Sequence, residues 1–356
     1  MPVNVLHIAK DFDLVSGVTR FVSTLLNLFN DDKEYKLHLI ANRGDAIQST
    51  LDSGFSIKEI PFEVGLKGLP GYLSVKRKIE KYCVENKIDI IHTHHRFPEL
   101  IASQISKRNK IKTITTAHSI VSGFKAFSFK SDKIIAVSKY VAGFLKEKFK
   151  VRDERIIVMN NCIVNNFENY VEPDLSIIAE GKKTKIVLLY AGRFSKDKGT
   201  DILLKAFELI KDKYEVELWL LGMNYDLNLH SIKDNSIKIL PPVVDVKNIY
   251  SKADIFILPS RVDPFPYFML ESGLFKKPFI GSRTGGIAEF IEDSVDGFLA
   301  NPGDVIDLER KIEFVINNLS ESKKASEKLN KKVNEKCNCE KYVLSLKNIY
   351  KELLSN

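Results

Sequence analysis

The chain has 356 residues, of which 44% are hydrophobic and 28% are charged, and its formal net charge is +8. This composition is that of a globular protein long enough for two domains, and it excludes a disordered, collagen-like or disulfide-scaffold chain. No apolar run approaches the roughly 18 residues of a membrane span, the first residues lack a signal-peptide layout, and the four cysteines are sparse, so we expect a soluble cytoplasmic protein.

The first half of the chain alternates short apolar runs with segments of helical periodicity, which is typical of parallel sheets wound with helices. Strands are predicted at 3–9, 36–41, 56–60, 88–92, 113–117, 133–137 and 156–160, and helices at 18–29, 72–85, 98–107 and 139–149. These elements define a first domain at 1–165. The polar, turn-rich stretch 166–184 is predicted to be a linker.

The same pattern restarts after the linker and predicts a second domain at 185–336. Its strands are predicted at 185–191, 215–221, 236–240, 254–258 and 278–282, and its helices at 200–211, 245–251, 267–274, 286–291 and 304–319. A final amphipathic helix is expected within 337–356. We therefore expect an α/β protein with two doubly wound, Rossmann-like sheets facing across a cleft, with ligands at the carboxyl ends of the strands.

The positive charge is concentrated in residues 101–150, which carry 11 basic and 2 acidic side chains. Within this block, the predicted helix 139–149 has Tyr140 and Phe144 on an apolar stripe, with Val141 and Leu145 as further candidates. Such a basic amphipathic helix can lie on an anionic membrane surface. The alternative is an ordinary surface helix whose stripe packs on its own sheet. Nucleic-acid binding is not expected, because the chain has no zinc-finger spacing, ribonucleoprotein aromatic motif or Arg-rich arm.

Two stretches of the second domain place polar residues where a predicted strand ends and a helix begins. In the first, Arg193 and Lys198 lie beside a helix N-terminus, where two cations and backbone amides can hold a diphosphate. In the second, Asp263 lies in a loop and Glu271 on an apolar helix, where a buried carboxylate needs a hydrogen-bond donor. A ribose diol would supply one, and so would a neighbouring backbone amide. Solvated loop residues are the alternative for Arg193 and Lys198.

Two weaker signals lie in the first domain. Gly17 follows the first strand at a helix start, where a ligand can approach the backbone, although the dinucleotide-binding pattern GxGxxG is absent. His118 ends a strand and can contact a sugar hydroxyl or a developing charge, or it can be a structural histidine. The run of His92, His94 and His95 suggests a metal cluster, but no Cys, Asp or Glu nearby completes a tetrahedral set, so we expect no metal site.

Together these motifs resemble those of the retaining GT-B glycosyltransferases of family 4, in the same order and over nearly the whole chain. The resemblance implies the GT-B fold, in which the final helix crosses back onto the first domain. The matching segments are G-R-x4-K-G at 192–199, E-x7-E at 263–271, G-G-I-x-E at 284–289, the glycine loop at 16–18, the cleft histidine at 116–118 and the segment 158–161.

The resemblance also implies a role for each matching residue. Arg193 and Lys198 would bind the diphosphate of a nucleotide sugar without a metal ion or cofactor, and Glu271 would hold the ribose. Asp263 would approach the transferred sugar, which His118 and Gly17 would contact from the first domain. The expected catalytic residues are therefore His118, Asp263, Arg193 and Lys198, and further contacts to the nucleotide sugar are expected at Val243, Phe265, Pro266, Tyr267 and Phe268.

Two departures from the family pattern bear on activity. Asp263 stands where Glu is usual and is one methylene shorter, and Pro266 stands where glycine is frequent and has no N–H. The amides of Tyr267 and Phe268 remain as hydrogen-bond donors for a phosphate.

The resemblance implies transfer of a sugar from a UDP- or GDP-linked donor to a glycan or lipid-linked acceptor in bacterial surface polysaccharide synthesis. An anionic membrane surface is a further expected partner, reached through the basic first domain, with the protein peripheral on the inner face of the cell membrane. The alternatives are a sugar-nucleotide epimerase of the same fold and an inactive transferase-like partner subunit.

Overall fold

The computed structural model describes residues 1–13, 16–52, 55, 57–62, 69–123, 125–165, 185–223, 227 and 233–355. The predicted linker at 166–184 lies outside the described residues. Within the described ranges, the strands are β1 (Val3–Asp11), β2 (Tyr35–Arg43), β3 (Ile57–Glu59), β4 (Ile90–Thr93), β5 (Lys112–Ala117), β6 (Lys133–Ala136), β7 (Ile156–Val158), β8 (Ile186–Ala191), β9 (Val216–Leu221), β10 (Ile237–Leu240), β11 (Ile255–Leu258), β12 (Phe279–Ser282) and β13 (Phe298–Ala300). The helices are α1 (Gly17–Leu28), α2 (Ala46–Asp52), α3 (Leu69–Glu85), α4 (Arg96–Asn109), α5 (Lys139–Phe149), α6 (Thr200–Ile210), α7 (Lys247–Lys252), α8 (Tyr267–Leu274), α9 (Gly285–Phe290), α10 (Val305–Asn317), α11 (Leu319–Lys336) and α12 (Cys339–Ser355).

The chain divides into two compact units. The first unit comprises Met1–Cys162 and Cys339–Asn356, and its seven-stranded parallel sheet has the order β3-β2-β1-β4-β5-β6-β7. The second unit comprises Ile163–Asn338, and its six-stranded parallel sheet has the order β10-β9-β8-β11-β12-β13. The predicted α/β class with two doubly wound parallel sheets is confirmed.

In each sheet the strand order reverses beside the first strand. The first sheet grows outward from β1 to β3 and resumes with β4 on the other side of β1; the second grows from β8 to β10 and resumes with β11 beside β8. Doubly wound sheets bind ligands in the crevice at such a reversal. In the first sheet this crevice lies between the loops that leave β1 and β4, and in the second sheet it lies between the loops that leave β8 and β11.

Continuous aliphatic runs account for these central strands. All four residues of β11 are buried, as are the four inner residues of β8. A parallel strand that is covered by helices on both faces needs such a run, because neither face is left to water. The local sequence therefore fixes where each strand ends, and so where the polar loop residues begin.

Three elements differ from the predictions. Helix α2, the three-residue strand β13 and helix α11 were not predicted. The helix predicted at 304–319 ends at Asn317, and α11 begins directly after Asn318, whose φ of −127° and ψ of 53° are not helical. Helix α11 is strongly polar, and its buried residues form only a narrow stripe that includes Ala325, Leu329 and Val333.

The last helix, α12, packs on the first unit. The buried Tyr350 hydroxyl lies 2.7 Å from His92 Nδ1. Lys347 forms an ion pair with Asp32, and the Tyr35 hydroxyl donates to the Lys347 carbonyl at 3.3 Å. These contacts join α12 to strands β2 and β4.

Candidate functional site

In the second unit, two loops meet at the carboxyl ends of β8 and β11, and we call them the β8 loop (residues 192–199) and the β11 loop (residues 259–266). The Arg261 amide donates to the Asp197 carbonyl at 2.8 Å. Gly199 has a φ of 72°, and a Cβ on it would lie 1.9 Å from the Pro259 carbonyl oxygen. Only glycine therefore permits both this backbone conformation and this close approach of the two loops.

A guanidinium fastens the same two loops together. Arg261 donates to both carboxylate oxygens of Asp201, at 2.7 and 2.8 Å, and also to the Lys196 carbonyl. Bidentate Arg–carboxylate pairs are among the most directional polar contacts in proteins. Asp201 lies in the first turn of α6, so this pair fixes the helix start against the β11 loop.

Lys198 and Asp263, predicted separately from two motifs, form a direct ion pair. Lys198 Nζ lies 2.6 Å from Asp263 Oδ2, and the Ser260 hydroxyl lies 3.3 Å from the same oxygen. Asp263 is only 2% exposed. The Asp263 carboxylate thus holds the Lys198 ammonium group at the strand ends. There the ammonium group can attract an anionic ligand.

Arg193 lies in the same loop but is more open to solvent. Its side chain is 49% exposed, and its guanidinium lies 3.1 Å from Asp197 Oδ2. The buried Tyr190 hydroxyl donates to the Arg193 carbonyl at 2.5 Å, and burial raises the pKa of that hydroxyl. The loop backbone is therefore anchored while the Arg193 side chain reaches the surface.

Glu271 is buried on α8 and is hydrogen-bonded to a tyrosine. It is 3% exposed, and the Tyr250 hydroxyl donates to its Oε2 at 2.8 Å. The Tyr250 ring packs edge-on against Phe256 and Phe268, with ring centroids 5.1 and 5.8 Å away. The Tyr250 hydroxyl therefore stabilises the buried carboxylate. It is a donor in addition to the two that the sequence suggested, a ribose diol and a backbone amide.

The β11 loop ends at Pro266, which is the N-cap of α8. Phe265 is buried edge-on against Phe290, and Phe268 stacks on Phe256, so both predicted contact residues have their side chains in the core. Any contact that they make with a nucleotide sugar therefore goes through the backbone. Val243, by contrast, is 37% exposed in the loop after β10.

In the first unit, His118 is part of a cluster of histidines beneath the ends of β1, β4 and β5. His118 Nε2 lies 3.2 Å from His94 Nδ1, and His94 Nε2 lies 3.0 Å from His7 Nδ1. Burial lowers the pKa of His7 and of His118 to about 3 and that of His94 well below its usual value. These imidazoles are therefore neutral at pH 7.

The cluster includes one set of nitrogens close enough together to suggest a metal ion, those of His7, His92 and His94 within 4.8 Å. The sequence run suggested His95 instead, but His95 Nδ1 accepts from the Lys10 amide at 3.1 Å. Both His92 nitrogens already lie 2.7 Å from hydroxyl groups, those of Tyr350 and Thr116. Both His94 nitrogens face other imidazoles, so a metal ion would have to displace these hydrogen bonds.

Known proteins resemble both halves of the chain. Residues 15–166 match the family model Glycosyltransferase Family 4, and residues 174–333 match the model Glycosyl transferases group 1. The structure of Anabaena HepE in complex with UDP and glucose superposes on 99% of this chain and 99% of its own, with a TM-score of 0.80 at 17% identity. This chain is a GT-B glycosyltransferase.

Two curated relatives extend the comparison. An uncharacterized glycosyltransferase of Methanocaldococcus jannaschii is 28% identical over 96% of each chain. The capsular polysaccharide biosynthesis glycosyltransferase CapM of Staphylococcus aureus is 22% identical over 89% of this chain and 76% of its own.

The basic helix of this glycosyltransferase, α5, packs its apolar residues on its own unit. Val141 and Leu145 are buried, and Phe144 packs against Phe149 with ring centroids 5.8 Å apart. The predicted stripe thus faces mostly inward, as in the alternative of an ordinary surface helix, and only Tyr140 stays clearly exposed. In the described part of the chain, no helix combines the length and the hydrophobicity needed to cross a membrane.

Sequence reasoning missed three polar partners in the glycosyltransferase: Tyr250, Ser260 and His7. Glu271 on an apolar helix signals that some hydrogen-bond donor must lie nearby, but it does not identify Tyr250. Ser260 lies in the turn before Asp263, and the sequence identifies it as a turn residue but not as a partner of that carboxylate. His7 lies inside an apolar strand and gives no local signal.

Proposed function

We propose that this enzyme transfers a sugar, with retention of configuration and without a metal ion, from a UDP-linked donor to a glycan or lipid-linked acceptor of a surface polysaccharide. The observation that carries the proposal is the ammonium of Lys198, held 2.6 Å from the buried Asp263 at the strand-order reversal of the second sheet. UDP is preferred over GDP because HepE, of similar fold, binds UDP and glucose. A polysaccharide product is preferred because CapM acts in capsule biosynthesis.

The second unit supplies the groups that this reaction needs for its leaving group. Lys198 and Arg193 neutralise the diphosphate, together with the first amides of α8 at Tyr267 and Phe268. Glu271 accepts from the ribose hydroxyls while Tyr250 keeps its other oxygen in place. The nucleobase lies against the loop at Val243.

In the reaction, the bond between the anomeric carbon and the diphosphate oxygen breaks, and the acceptor oxygen bonds to that carbon on the same face. The acceptor proton passes to the departing diphosphate, so no protein base is required. Asp263 holds Lys198 and approaches the sugar, for which the family resemblance also implies contacts with His118 and Gly17. Electrostatic stabilisation of the leaving group is the main catalytic effect.

The first experiment is nucleotide binding by thermal shift, since a ligand that binds only the folded state raises the apparent stability. We expect UDP to raise the melting temperature of the wild type and of Lys196→Met, an exposed lysine of the same loop, but not of Lys198→Met. A thermal shift with GDP and not with UDP would show that the donor carries guanine and not uracil. No shift with either nucleotide would contradict the proposal. Full activity in excess EDTA is expected, whereas activity lost to EDTA and restored by Mg²⁺ would refute metal independence.

Product analysis separates transfer from epimerisation. An epimerase would convert the nucleotide sugar in the absence of any acceptor, whereas the proposed transferase releases UDP and forms a glycoside only when an acceptor is present. The variant Glu271→Ala is expected to reduce transfer strongly. Wild-type rates in this variant would remove Glu271 from the site.

We also propose that the basic face of the first unit contacts an anionic membrane surface. Since the apolar stripe of α5 faces inward, the contact is electrostatic, at about 1 kcal/mol for each nearby lysine. Lys148 and Lys150 are exposed, and Phe127, in a turn beside α5, is 59% exposed. We expect co-sedimentation with phosphatidylglycerol vesicles and not with phosphatidylcholine vesicles, weakened by Lys148→Glu/Lys150→Glu; equal binding to both vesicles would contradict the proposal.

A further inference from the structure

Three histidines of the first unit form a hydrogen-bonded chain that ends at His118. His7 comes from β1, His94 follows β4, and His118 follows β5. The two links are His7 Nδ1 to His94 Nε2 at 3.0 Å and His94 Nδ1 to His118 Nε2 at 3.2 Å. His7 and His94 are fully or almost fully buried, at 0% and 3% exposure, so neither reaches a ligand itself.

The chain couples the tautomers of its three rings. Burial keeps each imidazole neutral, as the lowered pKa values above show, and a neutral imidazole has one N–H and one bare nitrogen. Each link needs one donor and one acceptor. If His7 carries its proton on Nδ1, then His94 and His118 must do the same; if His7 carries it on Nε2, all three carry it on Nε2. The three rings thus have two joint states.

The buried end of the chain decides between these states. His7 Nε2 is buried and has no hydrogen-bond partner among the described residues. With protons on Nδ1, this atom is a bare acceptor; with protons on Nε2, it is a buried N–H without an acceptor. Orphaned buried N–H groups are the rarer case in proteins, and leaving a donor unsatisfied is costly. The Nδ1–H state is therefore favoured for all three rings.

The open end of the chain then presents a fixed group. His118 is half-buried, and its Nδ1 has no hydrogen-bond partner in the described ranges. Phe21 packs edge-on against the ring, with centroids 5.0 Å apart, and limits its rotation. A free imidazole in water exchanges between tautomers, whereas the link to His94 and the Phe21 contact restrict the tautomer and the orientation of this ring.

We propose that His7 and His94 are positioning residues that hold His118 as the Nδ1–H tautomer, so that it offers a hydrogen-bond donor to an oxygen of the bound nucleotide sugar. Only the identity of that oxygen rests on the proposed function. The tautomer chain itself is a property of the ligand-free protein. A neutral donor of fixed direction suits a hydroxyl or phosphate oxygen, and its orientation costs no reorganisation on binding.

The tautomers can be read directly by two-bond ¹⁵N–¹H correlation spectra of ¹⁵N-histidine-labelled protein at pH 7. The whole protein has seven histidines, and single substitutions assign each signal to its residue. We expect Nδ1–H signals from His7, His94 and His118 in the absence of ligand. An Nε2–H tautomer or an imidazolium at His118 would overturn the proposal, whether or not a nucleotide sugar binds.

A variant at the buried end tests the coupling. His7→Met offers His94 only a sulfur acceptor, which stabilises the Nε2–H state, so we expect an Nε2–H population to appear on both His94 and His118. The matched control is His38→Met. His38 is also buried in this sheet, but its hydrogen-bond partners are Tyr82 and Asn4 and not the three linked histidines. An unchanged His118 tautomer in His7→Met would exclude coupling through His94.

A double-mutant cycle tests the consequence for binding. His94→Phe and His118→Phe are each expected to weaken nucleotide-sugar binding about tenfold, and the double variant is expected to be no weaker than His118→Phe alone. Additive losses would mean that His94 acts independently of His118. If the wild type binds no nucleotide sugar, the proposed function fails while the spectra still decide the tautomer chain.

Discussion

Replacing Lys198 by methionine separates the structural part of the Lys198–Asp263 pair from its functional part. Methionine keeps most of the length of the side chain but removes the charge 2.6 Å from Asp263 Oδ2. Among the described residues, the buried carboxylate then keeps the Ser260 hydroxyl at 3.3 Å as its one remaining partner. Removing one partner of a buried ion pair costs about 3–5 kcal/mol. At about 2–4 °C per kcal/mol for a domain of this size, the melting temperature should fall by roughly 10 °C.

The double variant Lys198→Met/Asp263→Asn should regain most of that stability, because no buried charge is left without a partner. It should not regain sugar transfer, because the cation that neutralises the diphosphate is still missing. The single tryptophan, Trp219, lies on β9 of the second unit, so its fluorescence reports unfolding of that unit. Lys196→Met is the control for both measurements.

Two results would refute this reasoning. If Lys198→Met unfolds at the wild-type temperature, Asp263 does not depend on the ammonium in solution. If the double variant transfers sugar at the wild-type rate, the Lys198 charge plays no part in leaving-group stabilisation.

Three further predictions concern other contacts. Tyr250→Phe removes the hydroxyl from Glu271 and should raise the KM for the nucleotide sugar about tenfold with a smaller change in kcat; an unchanged KM would contradict the assigned role. Gly199→Ala should lower the melting temperature strongly, because its Cβ would meet the Pro259 carbonyl at 1.9 Å, and a wild-type melting temperature would show that the loops do not meet. Since the pKa of His7 falls to about 3 on folding, the unfolded state takes up its proton first as the pH drops from about 6.5 towards 3. This histidine should then lower the free energy of unfolding by about 1.4 kcal/mol for each pH unit of that drop. Urea unfolding followed by circular dichroism should show a smaller pH dependence of stability for His7→Phe than for the wild type. The control Leu6→Ala should keep the pH dependence of the wild type.

The parts of the site that the sequence could predict are those set by local signals. β8 and β11 are uninterrupted apolar runs, each followed by a polar turn and a helix start, so the place where Lys198 and Asp263 enter the chain is readable from each segment alone. That both lie at one edge of one sheet follows from the parallel winding. Their 2.6 Å contact depends on β8 and β11 being neighbours, which only the strand order shows.

Contacts between distant segments could not be predicted in this way. His7 and His94 are 87 positions apart, and Tyr350 and His92 are 258 apart. They meet because β1 and β4 are adjacent and because α12 returns to the first unit. A histidine inside an apolar strand gives no sign of its partner. Helix α11 was missed for a related reason: its buried stripe of Ala325, Leu329 and Val333 is diluted by charged residues.

The structure also bears on the two departures from the family pattern that raised the possibility of an inactive partner subunit. Asp263 is shorter than the usual Glu, yet it reaches Lys198 directly and is braced by Ser260. Pro266 lacks an N–H, but it is the N-cap of α8 with a φ of −76°, a conformation that proline adopts without strain. The first helical amides, those of Tyr267 and Phe268, still follow it. Because both departures are accommodated without loss of the cation or of the helix N-terminus, the geometry favours a working transferase over a degenerate one.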